Sequence, residues 1–468
     1  MATLRDRSPV HGLERRSLGP ADVVAQSIAG CAPSAAMAAT PVIVAGLAGP
    51  ATVWSFVAAT LIALLVAASI GRFTTRMAAP GGLYPLTAQG LGSGAAFAGG
   101  VAAVLGYLLL CAAALAGAVL YLRPLLGALP AGAPWVATVT AVLCGSVVTA
   151  LVVRGVRPAA RVVLLVEAVA VGVLVGVFAV LLAGGPLPGP GAGPLPDTGA
   201  AGLVAGVVPA LAAFIGFEVA TSLGAETRRP FRTVPRAVFA TAAVTGVLYV
   251  FAAAVQTTGF AAVPGGLAGQ VQPVQVLATT RGWWWIPPVL HAALVLSFLA
   301  CAVATATALS RVLFSLARDG AVPAVLGRTH RRFRTPHVAV LIAVPVAAAA
   351  VAVPLAAGVP AGGLLVALLG AATVGFLVSY LLVCLAAPLF LRRIGELTPA
   401  AVATAAFAVP ALFAALVAFV VAAPTSGLVL AVVLAGCGWF VVARRRGVVA
   451  ALGVYDETVA SDVWHRAR

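Results

Sequence analysis

Uncharged apolar runs of about 20 residues recur from one end of this chain to the other, and they constrain its fold more than any motif does. A helix needs ~20 predominantly apolar residues to cross a hydrocarbon layer ~30 Å thick. Within that layer only a segment that pairs its own backbone N–H and C=O groups is tolerated. Twelve such runs can be placed, at 20–45, 50–71, 96–122, 134–153, 160–183, 201–225, 235–259, 285–317, 336–358, 361–391, 398–422 and 425–443. With 62% of its 468 residues hydrophobic and 9% charged, the chain is far from the ~25% charged content of soluble domains. The expected class is an all-α membrane protein with 12 transmembrane helices.

Charge placement tests that count independently. All 28 basic residues are Arg and none is Lys. Short cytoplasmic loops collect cations, and with twelve spans and both termini cytoplasmic every Arg except Arg123 and Arg281 falls on the cytoplasmic side. One span more or fewer early in the chain scrambles this partition. The net charge of +16 is therefore largely topological. A nucleic-acid partner is not expected, because its binding face would gather the Arg residues on one soluble surface, whereas here they punctuate apolar segments. Arg444 to Arg446 read as the stop after the last span, with anionic lipid as a second use. Arg5, Arg7, Arg15 and Arg16 precede a first span too long for a signal peptide, so the N-terminal tail is expected to stay in the mature protein.

Enzyme signatures are missing. The six Cys, at 31, 111, 144, 301, 384 and 437, all fall inside spans and none has metal-pair spacing. The five His are scattered, and no HExxH, nucleophile elbow or Walker sequence occurs. GLGSG at 90–94 follows no strand and reads as a connector. No enzymatic activity, cofactor or metal is expected, and no polar stretch is long enough for a soluble domain. The segment GGPLPGPGAGPLPDTG is Pro/Gly punctuation that divides spans one to five from spans six to ten. Because five is odd, the two halves start with opposite orientations, which is the arithmetic of an inverted repeat. The expected organisation is a cytoplasmic tail at 1–19, a first repeat at 20–183, an extracellular connector at 184–200, a second repeat at 201–391, two further helices at 392–446 and a cytoplasmic tail at 447–468. Trp54, Trp135 and Trp283 to Trp285 stand near span ends, as an interfacial aromatic belt requires.

The first helix of each half carries breakers near mid-membrane. QSIAGCAPSAAMAATP (26–41) holds Gly30 and Pro33 beside Gln26, Ser27 and Ser34. PALAAFIGFEVATSLGAE (209–226) holds Gly216 two residues ahead of Glu218. Either alone reads as close helix packing; the two at matching positions of both halves read as unwound turns. Such a turn persists at membrane depth only where protein or a water-filled cavity satisfies its peptide groups. Half-helix N-termini then attract an anionic group, while freed carbonyls and C-terminal ends receive a cation. A zwitterion carries both.

FIGFEVATSLGAETRRPFRTVPRA (214–237) resembles the sixth-helix signature of the amino acid/polyamine/organocation (APC) superfamily, a Phe-x-Gly-Phe-acid core followed by a Glu, a Pro and a Pro-Arg. The resemblance continues in PGGLYPLTAQGLGSGAAFAGG (80–100) and SRVLFSLARDGAVPAVLGRTHRRFRTPHVAV (310–340). It implies an amino acid permease with a 5+5 inverted-topology repeat, the LeuT-like or APC fold, plus two C-terminal helices. It further implies secondary transport of an amino acid or small amine across the cytoplasmic membrane by alternating access, proton-coupled or exchanging. Ser27, Ile28, Ala29, Gly30 and Cys31 are similar to the family's first-helix break, whose amides would hold a substrate carboxylate. Phe214, Ile215, Gly216, Phe217 and Glu218 are similar to the sixth-helix break, whose carbonyls would hold the amine, with Phe214 or Phe217 as an aromatic gate. The first break is less glycine-rich than is common in the family, and the internal Lys that many relatives carry in the fifth helix is absent; Glu167 is the only acidic residue placed inside that span.

A carboxylate at mid-membrane costs ~2.5 to 3.5 kcal/mol on insertion scales, so Glu218 needs a partner, a cavity or a proton. It is a candidate to couple a proton to transport, or to brace the broken helix. Glu167, about two turns inside its helix, is the second coupling candidate, with Arg161 as an alternative ion-pair partner. Glu226, beside Arg228 and Arg229, reads as an ion-pair or gate residue. His291, Ser297, Thr305 and Thr307 lie in the eighth span, which helps form the ion site of sodium-coupled relatives, but no matching carboxylate is legible and sodium is not the expected ion. Tyr107 reads as a packing residue. The apolar set Ile28, Ala29, Cys31, Phe214 and Phe217 favours a neutral amino acid, with a polyamine or organocation as the alternative cargo. A channel or a non-transporting nutrient sensor are the alternatives of another class.

Overall fold

A computed structural model describes residues 8–126, 134–187, 199–270, 272–422, 424–445 and 452–456. Most of the 184–200 connector and of the 447–468 tail lies outside the described residues, as do Arg5, Arg7 and Arg446 and the side chain of Arg161. Among the described residues the α-helices are α1 (Pro20–Cys31), α2 (Pro33–Ala48), α3 (Thr52–Thr74), α4 (Leu83–Leu91), α5 (Ser93–Leu122), α6 (Pro134–Arg154), α7 (Val156–Ala183), α8 (Gly199–Ala212), α9 (Pro230–Gly259), α10 (Pro273–Thr280), α11 (Ile286–Arg318), α12 (His337–Ala356), α13 (Ala361–Arg393), α14 (Pro399–Ala422) and α15 (Pro424–Arg445).

Ten helical stretches are long and apolar enough to cross a membrane. The difference from twelve has a local cause at each break. Pro20–Thr74 is one helical stretch of 55 residues, which covers the first two expected spans. The sixth expected span is interrupted so early that its apolar helix, Gly199–Ala212, is too short to cross alone. A feature without a counterpart in the sequence reading is α4, inside the polar segment 72–94. Leu83, Tyr84, Leu86 and Thr87 are buried there against α5 and α13, and Gly92, with φ of +83°, turns the chain directly into α5.

The buried centre is made by α11 and α5, whose most apolar windows are 83% and 72% buried, against 28% and 22% for α14 and α15 at the periphery. The most extensive contacts join α5 with α13 and α11, α3 with α9, and α6 with α12. Phe407, Val421, Trp54 and Leu434 are well exposed on the outside. A rim that apolar has hydrocarbon as its matching solvent.

The two chain breaks follow from local chemistry. At the first, Gly19 and Pro20 start α1, with the Gly19 N–H donating to Asp22 Oδ2 at 3.0 Å. Pro33 has no N–H to extend α1; Ala32 ends that helix in a left-handed conformation, with φ of +45°, and α2 restarts at Pro33. In α2, Pro41 leaves the Met37 carbonyl without its helical donor, and Gln256 Nε2 of α9 supplies one at 2.8 Å. At the second break, α8 ends at Ala212, Gly216 has φ of +98°, and a 3-10 turn at Val219–Leu223 leads towards α9.

Arg281, one of the two residues outside the charge partition, donates from Nη1 to the Leu181 carbonyl at 2.9 Å and from Nη2 to the Gly185 carbonyl. It caps the carbonyl end of α7, where a cation complements the helix dipole.

Candidate functional site

The two breaks meet backbone to backbone. A β-carbon on Gly30 would land on the Gly216 carbonyl, and one on Gly216 would land on the Gly30 carbonyl. Ser27 Oγ donates to the Phe217 carbonyl, and Cys31 Sγ lies 3.6 Å from the Phe214 carbonyl. From α11, Cys301 Sγ reaches the Gly30 carbonyl at 3.3 Å. Tyr249 of α9 donates to the Ala213 carbonyl at 2.9 Å. Side chains from two further helices thus satisfy carbonyls that the broken ladders release, as burial away from water requires. Ser27, Ile28, Ala29, Gly30 and Cys31 remain helical; the break itself falls one residue later, at Ala32.

Glu218 is fully buried and fully bonded. Tyr107 donates to Oε1 at 2.7 Å, Tyr380 donates to Oε2, and the Gly216 N–H donates to Oε2 at 3.2 Å. Its carboxylate therefore ties the second break to α5 and α13. Phe217 packs against the Tyr380 ring at 5.5 Å, and Phe214 sits edge-on to Tyr249 at 5.1 Å. Tyr107, expected as a packing residue, is also a donor to the carboxylate, and Tyr380 carries no local sign of that role in its apolar helix. Their bond to Glu218 spans 111 and 162 residues of chain.

Glu167 sits at the first break, away from any interface. Its Oε1 accepts from the Ser34 N–H at 3.1 Å, from Ser34 Oγ at 2.9 Å and from Ser297 Oγ at 3.0 Å. Its Oε2 is buried with no hydrogen-bond partner. Ser34 opens α2, so the carboxylate faces the positive end of that helix dipole. Oε1 thus takes three donors and Oε2 none among the described residues.

A cavity of about 350 Å³ runs from the breaks towards the end of the bundle where α2 and α5 end and α11 and α13 begin. Gly30, Cys31 and Ile215 line it; Ser27, Ile28, Ala29, Phe214, Gly216, Phe217 and Glu218 do not. Its walls are mostly Ala, Leu and Val, with Phe298 among them; Thr40, Tyr121, Gln272, Gln275 and His291 are the polar side chains, beside Cys31 and Cys301. No acidic residue is among the described lining residues. The volume is at the low end of small-molecule sites.

The opposite end, which carries most of the described Arg residues, is closed by side chains and both chain tails. Glu226 pairs with Arg311 of α11 at 3.1 Å, and the Arg311 side chain is completely buried. The N–H groups of Ser17 and Leu18 donate to the Glu226 carbonyl at 2.7 and 2.8 Å, and the Arg228 N–H donates back to the Leu18 carbonyl at 3.0 Å. Past α11, Asp319 Oδ2 accepts from Tyr84 at 2.5 Å and from the N–H groups of Gly453 and Val454 at 2.8 and 3.2 Å. Asp456 joins the tails, its Oδ1 accepting from Ser8 Oγ at 2.7 Å and pairing with Arg15 at 2.8 Å. Burial and the Asp319 carboxylate push the Tyr84 phenol well above its ordinary value, so it stays a donor.

The chain is 26% identical over 307 residues to the branched-chain amino acid permease BcaP of Bacillus subtilis, covering 62% of this chain and 65% of that relative. The BcaP of Lactococcus lactis is 27% identical over 308 residues, covering 62% and 66%. The methylthioribose transporter of Bacillus subtilis is 24% identical over 306 residues, covering 62% and 64%. The chain thus spans just under two thirds of the length of these curated relatives. The amino acid permease family matches residues 22–439, a stretch that includes both breaks, the Glu167 and Glu218 sites and the cavity between them. By that match the chain belongs to the amino acid permease family.

Proposed function

We propose that the chain is a secondary transporter that moves a neutral amino acid with an apolar side chain across the cytoplasmic membrane by alternating access. The observation that carries this reading is the contact of two broken helices, at Gly30 and Gly216, at the base of a mostly apolar cavity whose lining extends towards one end of the bundle. Released peptide groups bind the charged ends of an amino acid, and the Ala- and Leu-lined wall takes its side chain. A polycation finds no carboxylate on that wall. The BcaP names suit the same cargo class.

Twelve spans in a 5+5 inverted repeat account for the packing. The pairs α3 with α9, α5 with α11 and α6 with α12 join spans that stand five apart in that numbering. The Arg-bearing end with both tails is cytoplasmic by the charge rule, which makes the cavity outward-open and the Glu226–Arg311 side the closed gate. Gln26, completely buried on the closed side with neither end of its amide hydrogen-bonded, is a group that opening of that side would hydrate. Glu167, with its bare Oε2, is the proton carrier, and Glu218 is the brace of the second break.

Uptake by purified protein in proteoliposomes, with radiolabelled leucine, lysine, spermidine and methylthioribose, tests the reading. Saturable leucine uptake that valine and isoleucine compete away is the expected result. Uptake confined to spermidine or methylthioribose would overturn the cargo, and the absence of any translocation would overturn the transporter.

A further inference from the structure

A second cleft lies at the Arg-bearing end, outside the transport path. It is bounded by the N-terminal tail at His11 and Gly12, the end of α11 at Arg318, and the segment Arg328 to Arg331 leading to His337 at the start of α12. Its volume is about 890 Å³, and no acidic side chain is among the described lining residues. Asp319, next in the chain to Arg318, has its Oδ2 committed to Tyr84 and the C-terminal segment.

Several nitrogens of this cleft lack acceptors. Arg318 spends Nη2 on the His11 carbonyl at 2.7 Å, sets Nη1 against His11 Nε2 at 3.3 Å and lies over the Phe314 ring at 5.0 Å, yet its Nε is buried without a partner among the described residues. His337 Nδ1 is likewise buried and unpartnered. His330 accepts the N–H groups of Arg332 and Phe333 on Nδ1 at 3.2 and 3.3 Å, which leaves its neutral proton on Nε2 as a donor. Arg328 and Arg331 are exposed at the rim with guanidinium groups available. Unpaired buried donors are costly, and a concave cationic site focuses an anion field. Guanidinium forks match phosphate oxygens two at a time.

We propose that this cleft binds a phosphate group, held by Arg318, Arg328 and Arg331 with the His330 imidazole, and so ties the N-terminal tail to the α11–α12 connection. The chemistry is shared by a free phosphate compound and by the headgroup of an anionic phospholipid. Two arms separate them. The full-length protein in detergent is titrated with inorganic pyrophosphate and its Tm followed. In parallel it is reconstituted in nanodiscs of phosphatidylcholine with or without phosphatidic acid, and lipid retained on release is identified by native mass spectrometry. Both arms are repeated on R328Q/R331Q, whose exposed positions leave the fold intact. A pyrophosphate-dependent rise in Tm that the variant loses assigns a free phosphate ligand. Selective retention of phosphatidic acid that the variant loses, without a pyrophosphate effect, assigns the headgroup. No effect in either arm, or equal effects in protein and variant, overturns the site. The leucine uptake assay does not enter either readout.

Discussion

Glu226 and Arg311 form a two-pronged ion pair, Nε to Oε2 at 3.1 Å and Nη2 to Oε1 at 3.2 Å, between the chain that leaves the second break and the buried face of α11. Removing one partner of a buried pair leaves the other charge uncompensated, at a cost of roughly 3 to 5 kcal/mol. As ~1.4 kcal/mol is tenfold in an equilibrium, Glu226→Gln moves the population strongly away from the state with this end shut. The native Cys31 and Cys301 line the cavity and report on it. Their labelling by a membrane-impermeant thiol reagent from the cavity side is expected to slow at least tenfold in the variant, read by peptide mass spectrometry. An unchanged rate removes the pair from the gate.

Gly30 and Gly216 have no room for a side chain, and Gly216 also has φ of +98°. Alanine at Gly216 adds left-handed strain of about 1–2 kcal/mol to the overlap with backbone. Gly216→Ala and Gly30→Ala should abolish leucine uptake while the protein still inserts and purifies. Gly176→Ala, facing open space on α7, is the control and should transport normally.

The two buried carboxylates respond differently to neutralisation. Glu167→Gln keeps a carbonyl oxygen for Ser34 and Ser297 and removes the site where a proton can enter. Exchange of leucine for leucine should persist, while accumulation driven by an imposed pH gradient is lost. Retained pH-driven accumulation excludes Glu167 as carrier. At Glu218 all three partners donate; a glutamine can keep its oxygen on Tyr380 and the Gly216 N–H, but its amide NH2 then forces the Tyr107 hydroxyl to turn from donor to acceptor. That mismatch costs on the order of 1–3 kcal/mol, and Glu218→Gln should lower Tm and exchange together.

Asp319 holds the C-terminal segment at Gly453 and Val454, beside the bonds that Asp456 makes to Ser8 and Arg15. Because the Tyr84 phenol is raised above its usual value of about 10, its protonated donor form, and the stability it adds, is fully present below that pH and lost only above it. Protection of the C-terminal segment from carboxypeptidase should therefore be equal at neutral and mildly alkaline pH. Asp319→Ala should release the segment at both, and Tyr84→Phe should weaken its hold without a pH dependence.

Several features of the site were open to a sequence reading because they are local. Pro33, which lacks an N–H, and Gly216, which admits positive φ, mark where a helix can be interrupted, and Glu167, Glu218 and Glu226 stand out as rare charges among apolar neighbours. The first break lies at Ala32, one residue past 27–31, beside Pro33, which has no N–H to carry α1 further. The buried α4 was missed because nine residues are too few to read as a span and its burial is supplied by α5 and α13.

Apolar run length and the spacing of Arg residues determined, by themselves, that this chain is a series of helices with lipid as solvent, since backbone satisfaction and charge transfer are costs each segment meets alone. Only the tertiary structure decided what each buried carboxylate can do. Glu218 is closed off by hydroxyls that lie 111 and 162 residues away, and Glu167 is left with a bare oxygen by serines 133 and 130 residues away. Hydrogen bonds of that separation exist only once the helices have packed, so no local pattern in the chain encodes which acid has both oxygens bonded and which has one.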